Sequence, residues 1–159
     1  MSRWVHVLFA LLALSCAGLG SRPGSEDADE LGPLWIGYSE YDPYRYLHIY
    51  DDGGAEVATF SPPSVGRVRV VHCTITPDEK SELEQLTSAE SLAACEADAL
   101  PEPPDGRTNA VTVSRTPTFH AFFDIETAQA AETLALLGYL GDLADRCDAE
   151  GTPLSGASP

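Results

Sequence analysis

YRYLHIYDDGGAEVATF, residues 44–60, constrains the fold more than any other stretch of this chain. Tyr44, Tyr46, His48 and Tyr50 alternate with Arg45, Leu47 and Ile49. A period of two puts the two sets on opposite faces of a β-strand. Asp51-Asp52-Gly53-Gly54 follows, residues that tolerate the positive φ a tight hairpin turn requires. AEVATF, 55–60, then returns as the partner strand. A hairpin alone is marginal in water, so the remaining elements must supply its cover.

GRVRVVHCTIT (66–76) is rich in β-branched residues and reads as a third strand. It ends in Thr76-Pro77-Asp78-Glu79, where Thr can cap a helix, Pro suits its first position and Glu79 completes a capping box. The helix that follows turns Leu83 and Leu86 inward. Thr87-Ser88-Ala89-Glu90 is a second start, for a short helix through Cys95. PEPPDGRTN is a loop. AVTVSR (110–115) and TFHAFFD (118–124) read as a hairpin turning at Thr116-Pro117, and a last helix is expected from about Glu126 to Cys147. Leu134, Leu137, Leu140, Ala144 and Cys147 lie near one stripe of it. Strands, helices, strands and a helix without strict alternation predict an α+β fold, an antiparallel sheet of about five strands with helices packed on one face.

The two ends read differently. Arg3 and the free amine, an apolar run over 4–14 and the small residues Ser15, Cys16, Ala17 and Gly18 describe a bacterial export signal. The run is too short to span a bilayer, which takes about 20 residues. Leu12-Ala13-Leu14-Ser15-Cys16 resembles the lipobox of bacterial lipoproteins, although Leu stands at 12 and 14 and Ala13 holds the position where that family prefers Leu. The resemblance implies lipid on Cys16, cleavage before it and anchoring by several acyl chains. A single chain anchors only marginally and two or more hold firmly. Ala17 in place of Asp points to the outer membrane. The alternative is cleavage after Ala17, giving a secreted or periplasmic protein. The expected organisation is a signal peptide over 1–15, a lipidated Cys16 with an acidic tether to 33, one domain over 34–147 and a disordered tail over 148–159.

The chain carries 25 Asp and Glu against nine Lys and Arg, a formal charge of −16. Nucleic-acid binding neutralises phosphates with cations, so this balance excludes it as a reading. Apart from Cys16, three cysteines remain, and an oxidising compartment predicts one pair. Cys95 and Cys147 each end a helix, and two helices on one sheet face can bring such ends together. The expectation is a Cys95–Cys147 disulfide with Cys73 a buried free thiol, the other two pairings staying open. A catalytic Cys73 finds only His72 beside it, and adjacent strand residues face opposite ways.

His48, His72 and His120 all fall in predicted strands without metal-ligand spacing. No nucleophile elbow, phosphate loop or CxxC is present, so neither a catalytic constellation nor a cofactor is expected. The feature that invites a partner is aromatic: Tyr44, Tyr46, His48 and Tyr50 share one strand face, and tyrosine offers large area at small entropic cost. The order strand, DG turn, strand, strand ending in CTITPDE, hairpin and closing helix resembles small bacterial domains of the emfourin type, inhibitors of thermolysin-like metallopeptidases. The resemblance covers roughly 34–147 and implies a peptidase partner. The residues together with the lipobox resemblance imply an exported lipoprotein, anchored in the cell envelope, that binds or scaffolds a protein partner; the alternative is an emfourin-like peptidase inhibitor.

Overall fold

Gly53 sits at φ +91° between Asp52 and Gly54, and this one positive-φ residue closes the hairpin that the DDGG stretch predicts. Asp52 locks the turn by accepting from the Gly54 amide at 2.8 Å and the Gly32 amide at 2.9 Å. The computed structural model describes residues 31–41, 44–60, 68–101, 108–115 and 118–153. The expected export signal, Cys16, the expected tether up to 30, the expected turn at Thr116-Pro117, residues 102–107 of the Pro-rich loop and residues 154–159 lie outside them.

The chain forms a seven-stranded antiparallel sheet with three helices against it, an α+β fold. The strands are β1 (Leu34–Glu40), β2 (Arg45–Tyr50), β3 (Gly54–Phe60), β4 (Val68–Thr74), β5 (Asn109–Val113), β6 (Phe119–Phe123) and β7 (Thr152–Pro153). Their spatial order is β6-β5-β1-β2-β3-β4-β7. β1 to β4 form a meander of successive neighbours. The chain then crosses through α1 (Pro77–Leu86) and α2 (Ala89–Cys95) to add β5 beside β1, and β6 follows as its hairpin partner. α3 (Ala131–Glu150) crosses back over the sheet and hands the chain to β7 on the free edge of β4.

Two strands exceed the five expected. β1 breaks the period of two because its register with β2 shifts between Leu34 and Ile36, so Trp35 and Ile36 are both buried. β7 is only two residues long and follows Gly151, where a Cβ would stand 2.8 Å from the His72 carbonyl oxygen. Residues 148–153, expected in a tail, belong to the fold: α3 runs to Glu150 and the sheet includes Pro153.

α1 begins as the capping box requires. Thr76 Oγ1 accepts from the Glu79 amide at 3.2 Å, and Glu79 Oε2 accepts from the Thr76 amide at 2.8 Å. Ser88 caps α2 in the same manner, accepting from the Ser91 amide. α3 starts five residues later than expected. Asp124 folds 125–128 into a turn, and Asp98 Oδ2 accepts from the amides of Gln129 and Ala130 at 3.0 and 2.8 Å, fixing the first turn. Its buried stripe is Thr133, Leu136, Leu137, Leu140, Leu143, Ala144 and Cys147, whereas Leu134 is 44 % exposed and faces away. This stripe packs on Ile36, Leu47, Ile49, Val57 and Val71.

Cys147 is bonded to Cys73, with Cα atoms 5.4 Å apart, and Cys95 is the free, buried thiol. The expected Cys95–Cys147 pairing is thus replaced, for a geometric reason. Cys95 ends α2 against Thr133, at the start of α3. Thr133 and Cys147 are fourteen residues apart on one helix, about 21 Å along its axis, whereas a disulfide tolerates a Cα separation of at most about 7 Å. The C-terminal end of α3 lies against β4, where Cys73 is on the same sheet face as Val71.

Candidate functional site

The helices cover one face of the sheet, and among the described residues no element covers the other. Alternation decides what that open face displays. On β2, Arg45, Leu47 and Ile49 are buried, so Tyr46, His48 and Tyr50 face out with Tyr44 just ahead of them. Register then aligns the neighbouring strands. One row across the sheet reads Phe122, Ala110, Ser39, Tyr46, Ala58, Val70. The next reads His120, Thr112, Gly37, His48, Glu56, His72, with Thr152 at the edge. The histidines of three separate strands therefore lie on one line across one face.

These rows give the face relief. β5 and β1 present only small side chains, Ala110, Thr112, Gly37 and Ser39, and form a trough. The tall residues of β2 wall it on one side and His120 and Phe122 of β6 wall it on the other, with the latter rings edge-to-face at 4.9 Å. Beyond β2 the ridge thickens. Tyr44, Tyr46 and Phe60 pack edge-to-face with centroids 5.3 to 5.5 Å apart, and the Tyr44 and Tyr46 hydroxyls hydrogen-bond at 2.7 Å. That bond, followed by burial, raises the Tyr46 phenol above its ordinary pKa. Two imidazoles lean over the trough floor: His120 Nδ1 lies 2.8 Å from Thr112 Oγ1, and His48 Cδ2 lies 3.9 Å from where a Cβ on Gly37 would be.

Charge is distributed unevenly between the two sides of the protein. The outward positions of the described strands carry one carboxylate, Glu56, and it lies between two neighbours. Tyr50 donates to its Oε2 at 2.6 Å, and His72 Nε2 lies 2.6 Å from its Oε1, close but not aligned for a directed hydrogen bond. Burial, then the bond to Glu56, pushes the Tyr50 phenol far above its usual value. The helical side, by contrast, carries Asp78, Glu79, Glu82 and Glu84 on α1 and Glu132, Asp142, Asp145, Asp148 and Glu150 on α3. In a chain of charge −16, the open face is the near-neutral one.

The four surface residues read from the sequence are thus on one face, and Tyr46, His48 and Tyr50 lie in a single strand. Tyr41 is exposed at the β1–β2 turn, while Tyr38 is buried on the helix side, where desolvation, then Glu40, raises its phenol well above the ordinary range. Phe60, Phe122 and the trough were not legible, because each depends on cross-strand register. No three His, Cys, Asp or Glu side chains among the described residues are grouped to hold a metal ion.

A second concavity of about 210 Å³ lies on the helix side, lined by Trp35, Glu84, Thr87, Ser88, Val113 and Arg115. Its cation is already engaged. Arg115 stacks on Trp35 at 3.7 Å and donates twice to Asp51 Oδ1, at 3.0 and 2.7 Å, tying β5 to the hairpin turn.

Compared with protein-family models, with curated proteins and with solved structures, the chain finds no match. The open face must be read from its own chemistry.

Proposed function

We propose that this chain is an exported, lipid-anchored domain of the bacterial cell envelope that binds a protein partner through the open face of its sheet. The observation that carries the reading is that face itself: aromatic, nearly free of charge, and covered by none of the described elements, in a protein whose other side is crowded with carboxylates. Interface cores are enriched in Tyr and Phe and depleted in charge, and a contiguous apolar patch with a polar surround marks an interaction site. Export is supported by the Cys73–Cys147 bridge, since disulfides persist in oxidising compartments. Anchoring is supported by the lipobox-like Leu12–Cys16 segment alone.

Two measurements test the two halves. The intact mass of the protein from its own membranes should correspond to a chain starting at Cys16 plus acyl groups. A chain starting at Gly18 without added mass would remove the anchor and leave an exported binding domain. A photoreactive amino acid placed at Tyr44, Tyr46 or Tyr50 in the living cell should give protein adducts absent when it is placed at Ala135 on the exposed side of α3. Equal or absent labelling from all three positions would refute the face as a binding surface.

A further inference from the structure

We infer that the first occupant of the open face is a second copy of this chain, packed sheet to sheet in a two-fold dimer. The inference rests on the partner-binding reading above and gives the partner an identity. Three observations carry it: the relief of the face, its charge and its area.

Relief comes first. The ridge on β2 and the trough over β5 and β1 lie side by side on the same face, little more than one strand spacing apart. A two-fold axis in the interface plane, near the strand direction and between ridge and trough, lays each ridge into the other copy's trough. Such a contact is isologous and closed. It sets Tyr46 of one copy over the floor formed by Ser39 and Ala110 of the other. That row is the one no imidazole leans across. Two packed sheets stand about 10 Å apart, which requires large residues to meet small ones.

Charge selects the same face. Two copies that each carry −16 repel through most orientations. Here the one carboxylate in the rows, Glu56, is already held between Tyr50 and His72, so the sheet faces can meet without opposing carboxylates. Area is of the right order. With the axis between ridge and trough, about five strands of five to seven residues overlap, a footprint of roughly 500 Å² to which side-chain relief adds. A standard interface buries about 800 Å² per partner.

Sedimentation equilibrium of the purified protein, with Ser39→Arg and Ala135→Arg variants, tests the dimer. Both variants add the same charge, one on the trough floor and one on the exposed side of α3. The wild type and Ala135→Arg should dimerise alike, while Ser39→Arg, folded by far-ultraviolet circular dichroism, should weaken the dimer by about 100-fold or more, because like charges are then opposed or buried unpaired. A photoreactive group at Tyr46 should crosslink to the peptide that holds Ser39 or Ala110 of another copy. A wild type that stays monomeric to millimolar concentration overturns the dimer, as does a dimer indifferent to Ser39→Arg. If Tyr46 then labels only a different protein, the partner reading stands without self-association. If it labels nothing, both fall.

Discussion

Breaking the Cys73–Cys147 bridge should cost the domain a large share of its stability. The two cysteines are 74 residues apart in sequence, and closing a loop of that length stabilises by about 4 kcal/mol in the chain-entropy model. Natural domains have only about 5–15 kcal/mol in total. Cys147 is fully buried on the inner face of α3, so replacing both cysteines with alanine adds a small packing loss to the entropic one. With a urea slope of about 1.5 kcal/mol/M, typical of a small domain, 4 kcal/mol moves the unfolding midpoint by about 3 M. The assay is urea unfolding of the oxidised protein, of the protein in reductant and of the Cys73→Ala/Cys147→Ala double variant. Alkylation in denaturant without reductant should label Cys95 and leave Cys73 and Cys147 unlabelled. Without denaturant Cys95 should react slowly, since it is buried and desolvation raises its thiol above the ordinary range. A midpoint within about 0.5 M of the oxidised protein's would refute the argument on magnitude, and label on Cys73 or Cys147 would refute it on connectivity.

Arg45 is buried on the helix side, paired with Asp145, with Glu40 at 2.6 Å and with the Gly141 carbonyl at 3.3 Å. Arg45→Ala should cost about 3 kcal/mol in urea unfolding, because Glu40 is left in the protein without its cation, and Arg45→Met should recover the part that comes from packing of the stem. Unchanged stability of Arg45→Ala would show the pair to be incidental. Thr76→Ala removes one half of the capping box and should cost about 1 kcal/mol, detectable as a lower thermal midpoint with an unchanged spectrum. Asp98 has its carboxyl held below the usual range, first by the Ala130 amide and then by Thr133 and the Gln129 amide. A depressed carboxyl stabilises the fold above its unfolded pKa of about 3.9 and loses that contribution as pH falls through the lower folded value. Asp98→Ala should therefore lower the urea midpoint at pH 6 and flatten its decline below about pH 4. Parallel profiles for variant and wild type would refute the role given to Asp98.

What could be read from the chain without its structure was whatever local chemistry decides. The DDGG turn, the Thr76–Glu79 box and the Ser88 start each satisfy their own backbone and need no distant partner. The alternation of 44–50 likewise placed Tyr46, His48 and Tyr50 opposite Leu47 and Ile49 before any neighbour was known. β1 escaped because its bulge at Trp35 breaks the period that announces a strand, and Gly37 interrupts it again. The disulfide escaped for a different reason. Two helix C-termini come together only for certain relative directions of the helices, and sequence spacing does not tell which end of α3 faces α2. The trough was the least legible feature. Ala110 and Thr112 lie some seventy residues from Ser39 and Gly37, and only the pairing of β5 with β1 makes their small size a shape.

The neutral face and the acidic helices follow from one topological choice. After four meandering strands the chain passes through α1 and α2 before it rejoins the sheet at β5, and it passes through α3 before β7. Every helix therefore falls in a connection on the same side, and there each needs an apolar stripe inward and a polar surface outward. The carboxylates of this chain are drawn to those outward surfaces, where Arg45, Arg69 and Arg146 reach across from strand or helix to pair with Asp145, Asp148 and Glu79. The strands are left with alternation alone, which gives them an outer face that water can solvate without many charges. A bare solvent face, however, has no need of three packed aromatic rings, a row of imidazoles or a carboxylate flanked by Tyr50 and His72. Solvation would be served as well by Thr, Lys and Glu at those positions. The residues found there suit burial, which is what the proposed second surface would supply.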